Sequence, residues 1–201
     1  MKRILEPLEL IKIKNNHRLA KKIEEIICLI KVPDDNEKAM LFSGFLQDAL
    51  SHFYSMNILI ENKLYNSAFA LVRVFFDTLI RGQYVVYIFD DIAVNTMYLN
   101  QENWNFPKTK NMCKKLDEFF GEDIFDKIRT NSYGMMCDYT HIGQNQIARH
   151  FNEEKCTIEP NFDSKFIIDT LAGNYALMEL FAKNFIEFMK QHKMLTQEVS
   201  L

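Results

Sequence analysis

An all-α fold of about six helices is predicted by three features of the chain. Its 201 residues contain only 6 Gly and 4 Pro, so turns are scarce. The 17 Phe and 10 Met supply soft apolar packing in quantity. Apolar side chains recur at three- and four-residue steps over most of the length, the period of a helix with one buried face. The length suits one domain spanning 1–201 and is enough to bury a core without disulfides or metals.

The elements follow in order. From Asn15 to Lys31, Leu19, Ile23, Ile26, Ile27 and Ile30 alternate with Lys21, Lys22, Glu24 and Glu25, and Val32-Pro33 closes this helix. Asp34 or Asp35 is positioned to cap a second helix, in which Met40, Leu41, Phe45, Leu46, Ala49, Phe53, Met56, Leu59 and Ile60 keep helical period. His52 and Asp48 share one side of it, and His52 is a candidate binding residue. The short polar stretch 61–66 makes the second and third helices an antiparallel hairpin. The third helix runs from Ser67 to about Phe89 and breaks at Asp90-Asp91. A shorter helix passes through Met97 and Tyr98, a loop follows from Asn103 to Pro107, and Thr109 opens a helix through Phe120. After Gly121 the pattern gives two helical pieces with a bend near Tyr133-Gly134 or Gly143. Asn152 to Asp163 reads as a loop, and a last long helix covers Ser164 to Gln191.

The third helix carries the most information. SAFALVRVFFDTLIRG is apolar nearly all round, yet Arg73, Asp77 and Arg81 fall at four-residue steps on one stripe. A charge inside a domain needs a partner, so the stripe is either a structural Arg–Asp–Arg ladder or one wall of a polar site. The segment CDYTHIGQNQIAR holds the other polar concentration. If helical across Gly143, it places His141, Asn145 and Arg149 on a second stripe, which is expected to face the first with Asp77 between cations. His141 and Tyr139 beside Arg73 and Arg149 have the ingredients of metal-independent phosphodiester cleavage. The same groups suit passive recognition of a phosphate or carboxylate, and a structural donor to a buried carboxylate or carbonyl is the alternative reading of His141.

Other chemistries are excluded or unsupported. Only Asp48/His52 and Asp138/His141 come near a metal-ligand spacing, and no phosphate-binding glycine loop, nucleophile elbow or dinucleotide fingerprint occurs, so neither metal nor cofactor is expected. Cys137 and His141 lie one turn apart, but an inert buried thiol is the commoner arrangement. A net charge of −3 gives no global reason to bind nucleic acid, so such a site has to be a local patch. Four cysteines without a CxxC pair, no secretory signal and no uncharged apolar run of membrane-spanning length indicate reduced thiols in a cytoplasmic protein away from membranes.

At these two motifs the chain resembles an uncharacterised group of bacterial helical proteins that read S-A-F-A-L-x-R-P-x-x-E-x-x-x-R-G and later S-Y-T-H-x-G-x-x-Q-x-x-R. Those are similar in turn to HEPN-like proteins (higher eukaryotes and prokaryotes nucleotide-binding), including the abortive-infection AbiV type. The resemblance implies a HEPN-like bundle acting in bacterial defence or as a toxin–antitoxin type protein, as a metal-independent endoribonuclease or as a non-catalytic module that binds RNA, a nucleotide, an antitoxin or another defence partner. It also implies a homodimer. It selects Arg73, Tyr139, His141 and Arg149 as catalytic candidates, and Asp77, Arg81, Gly143 and Gln146 around them. Val74 stands where the group has Pro, and Asp77 where it has Glu. The R-x(4–6)-H motif of HEPN ribonucleases is absent, since Arg129 precedes His141 by twelve positions, so a catalytic cation has to come from another helix.

Overall fold

The computed structural model describes residues 4–33, 35–99, 104–152, 157–158, 161–195 and 201. Eight helices occur among them: α1 (Pro7–Ile27), α2 (Glu37–Glu61), α3 (Tyr65–Tyr87), α4 (Asp91–Leu99), α5 (Thr109–Phe120), α6 (Phe125–Thr140), α7 (Gln144–Ala148) and α8 (Ser164–Gln191). The all-α expectation holds; two of the eight, α4 and α7, are short, which is why the count exceeds six.

Local chemistry sets the helix ends. α1 starts well before Asn15 because Glu6 and Glu9 form a reciprocal capping box and Pro7 sits at the first turn, where its missing N–H costs nothing. It ends at Ile27, ahead of Val32-Pro33, since the amides of Leu29 and Ile30 fold back onto the carbonyls of Ile26 and Ile27. α2 is capped by Asn36, whose side chain accepts from Ala39 N at 2.9 Å, rather than by Asp35; Asp34 lies outside the described residues. Gly121, at φ 68°, ends α5 in the left-handed region. Asp117 then starts α6, its carboxylate accepting from the amides of Ile124, Phe125 and Asp126 at 2.8–3.0 Å.

Of the two places where a bend was expected, Tyr133-Gly134 and Gly143, the chain breaks at the second. α6 runs straight through Tyr133-Gly134 and stops at Thr140. Beyond it Gly143 N donates to Asp138 O across a Schellman turn, with Ile142 left-handed at φ 56°. The loop expected after Asn152 contains one small antiparallel pairing, β1 (Phe151–Asn152) with β2 (Thr157–Ile158). Asn103 and Cys156 lie outside the described residues. Cys28, Cys113 and Cys137 are free thiols.

The main core draws on α1, α2, α3, α5, α6 and α8, and a small second cluster of Val85, Val94 and Met97 seats α4 against the end of α3. α3 packs against α2, α5, α6 and α8, as expected of a helix with apolar residues nearly all round. Phe42 of α2 meets Phe181, Phe185 and Phe188 of α8 edge-on, with centroids 5.2–5.7 Å apart. Asn16, buried in this core, donates through Nδ2 to Asn57 Oδ1 at 2.9 Å and to Leu171 O at 3.3 Å, while its Oδ1 has no hydrogen-bond partner among the described residues.

Gly82 lets the three central helices approach. A Cβ there would stand 2.8 Å from Phe45 Cβ and 2.9 Å from the Phe181 ring. Gly82→Ala should therefore destabilise the fold by about 1–3 kcal/mol, the usual cost of overpacking, despite alanine's better helix propensity. Urea unfolding measures it, and a variant as stable as the parent would contradict this packing.

Candidate functional site

The site is built where α3, α5 and α6 meet. Asp77 of α3 receives the Tyr133 hydroxyl at 3.2 Å to each carboxylate oxygen and Thr109 Oγ1 at 3.1 Å, so one carboxylate ties three helices. Arg73, one turn earlier, lies 3.6 Å from Asp77 through Nε, donates to Tyr133 Oη at 3.4 Å and rests over the Tyr133 ring, 5.3 Å from its centroid. Its Nη1 donates to His141 Nε2 at the C-cap of α6. Thr140 adds a tether, Oγ1 donating to Ala70 O at 3.3 Å.

The chemistry of the pair follows from its donors. A guanidinium only donates, so His141 must accept through Nε2 and carry its proton on Nδ1. Burial tends to lower the Arg73 pKa, but the Tyr133 hydroxyl, with Cys137 and Asp77, more than reverses this, so Arg73 stays charged. The side chains of Arg73 and Asp77 are both partly buried, 24% and 17% exposed, and His141 is exposed, so the network reaches solvent through the imidazole. Gly143 shapes the turn behind His141, because a Cβ there would fall 2.5 Å from the Asp138 carboxylate.

The other candidates lie elsewhere. Arg81 does not complete a ladder: it is exposed, makes no ion pair with Asp77 and lies over the Phe106 ring at 5.2 Å. The second stripe does not form either, because the Schellman turn after Thr140 takes His141 and Arg149 onto different segments. Arg149 sits over Phe166 and Phe162, 4.4 and 5.4 Å from their centroids, and 3.7 Å from Asp163. Tyr139 joins that cluster through Phe69, Phe162 and Phe166, and is 2% exposed. Its pKa is raised, burial outweighing the opposing charge of Arg149. Gln146 Oε1 is buried without a hydrogen-bond partner among the described residues. His52 is half-buried on α2 and takes no part in the Arg73 network.

Tyr133 and Thr109 are the site residues that the sequence reading missed. Tyr133, Cys137 and His141 recur at four-residue steps along α6, a signal masked by the bend expected at Gly134. No group of His, Cys, Asp and Glu among the described residues could hold a metal ion, and no helix among them is long and apolar enough to cross a membrane.

Residues 47–200 match a family described as of unknown function, DUF6988, and the chain belongs to that family. No curated protein and no solved structure matches it.

Asp77→Ala should destabilise the fold by about 1–3 kcal/mol, because it leaves the half-buried Arg73, Tyr133 and Thr109 groups without their acceptor. Arg81→Ala, which removes an exposed side chain, should stay within about 1 kcal/mol of the parent. Equal losses in denaturant titrations would restore the ladder.

Proposed function

We propose that this member of the family is a HEPN-like binding module that holds a phosphate-bearing ligand, a nucleotide or an RNA end, between Arg73 and His141, in a bacterial defence or toxin–antitoxin setting in the cytoplasm. One observation carries the reading: a guanidinium anchored from behind by Asp77 and Tyr133 presents its charge beside an exposed imidazole. An anion that displaces the Arg73–His141 contact would meet the fork of arginine on one side and, with the ring proton on Nε2, an imidazole donor on the other. The division of the catalytic candidates favours binding over turnover, since Tyr139 is enclosed by aromatic rings and Arg149 is engaged with Phe166 and Asp163. The runner-up, a metal-independent endoribonuclease, rests on the same contact: an imidazole next to a guanidinium can move a proton while charge develops on phosphorus.

Fluorescence anisotropy with 5′-phosphorylated and 5′-hydroxyl oligoribonucleotides separates the two. Binding that depends on the terminal phosphate, RNA left whole in EDTA and in magnesium alike, and a roughly ten- to hundredfold loss for Arg73→Lys and His141→Ala with the thermal transition retained are the expected results. Cleavage in EDTA to 2′,3′-cyclic phosphate ends, abolished by His141→Ala, would install the ribonuclease instead. Indifference to the terminal phosphate would remove the site.

The HEPN-like reading also carries a homodimer. Exposed Leu8 and Ile11 on α1 and Phe119 on α5 are the kind of surface a second copy covers. Light scattering at micromolar concentration should return the mass of two chains, and the mass of one would overturn it.

A further inference from the structure

A second feature lies away from Arg73, on α1. Leu10, Ile13, Lys14, His17, Arg18 and Lys21, with Glu61 of α2 opposite, line an open groove of about 340 Å³. Lys14, Arg18 and Lys21 are exposed, whereas the Glu61 carboxylate is engaged by His17 Nε2 at 3.2 Å. Three permanent cations therefore face one carboxylate that already has a partner. The concentration of positive charge stands out in a chain of net charge −3. Buried Ile13 gives the groove an apolar floor and half-exposed Leu10 an apolar rim, and the His17 ring lies 5.9 Å from that of Tyr54, which sits just outside the groove and donates through its hydroxyl to Glu24 at 3.2 Å.

We infer that this groove binds the phosphate backbone of a single nucleic-acid strand. From Lys14 to Lys21 the helix advances about 10 Å. At about 3.4 Å per stacked nucleotide that spans roughly three phosphates. A cationic track bordered by aromatic rings is the arrangement by which strands are held without sequence preference, charge following the backbone and rings taking bases.

The test uses the full chain and a fluorescent oligouridylate with a 5′-hydroxyl, so that the Arg73–His141 site is not engaged through a terminal phosphate. Three backbone contacts on a single strand predict a slope of about −2 for log K against log salt. Lys14→Ser, Arg18→Ser and Lys21→Ser together should cut affinity at least tenfold at low salt and flatten the slope, and Lys14→Ser alone should lower it by about 0.7. His141→Ala should leave this binding unchanged, so its loss and that of the proposed function are distinguishable. A triple variant that binds like the parent overturns the inference. So does uridine triphosphate competing as well as the oligomer, which would mean a free nucleotide site, or capture by anionic vesicles with no affinity for the oligomer.

Discussion

The arrangement depends on the fact that α3 is enclosed by α2, α5, α6 and α8 while carrying a carboxylate on one of its faces. Within such a column a single unpaired acid would cost more than most apolar contacts return. The chain answers with neutral hydroxyls, Tyr133 and Thr109, rather than a second cation. Two helices that have no covalent reason to sit at that face of α3 are thereby given a fixed position against it. Because the hydroxyls share the negative charge, Arg73 does not have to be drawn wholly onto Asp77, and its Nη1 is left to His141.

The helices were legible because their periodicity is an average over many residues and survives local exceptions. α2, α3 and α8 fall within a few residues of their predicted bounds for that reason. Ends are set by one or two side chains, and there the pattern was a poor guide. Glu6 and Glu9 extend α1 through residues with no clear apolar face, and Asn36 outcompetes its acidic neighbour by reaching the right amide. Gly134 has no Cβ contact to explain and sits inside α6 like any other residue, so a glycine alone was no evidence of a bend.

The site was half legible on the same physical grounds. Four-residue spacing on a continuous helix correctly joins Arg73 to Asp77. The same spacing fails for Arg81 because α3 is not enclosed equally on every turn, and the last charge finds solvent and the Phe106 face instead. For His141 and Arg149 the rule was applied across a break, where helical angles no longer relate one residue to another. The partners supplied by other helices could not be read from spacing on α3 at all. Arg149 and Tyr139 share the aromatic cluster around Phe166, where they pack apart from the polar network of Arg73 and Asp77.

Ile142 gives the turn beside His141 a distinct energetic character. A β-branched residue held at φ 56° carries a cost on the order of 1–2 kcal/mol that glycine would not, and its side chain, 69% exposed, recovers little by packing. Strain of that size is released whenever the end of α6 unwinds. It multiplies the equilibrium population of the locally opened form roughly five- to thirtyfold relative to an unstrained turn, while leaving the core as it was. The exposed imidazole is thus mounted on the segment whose amides should exchange with solvent ahead of those in the middle of α6, so its position relative to Arg73 is set by local opening rather than by global unfolding.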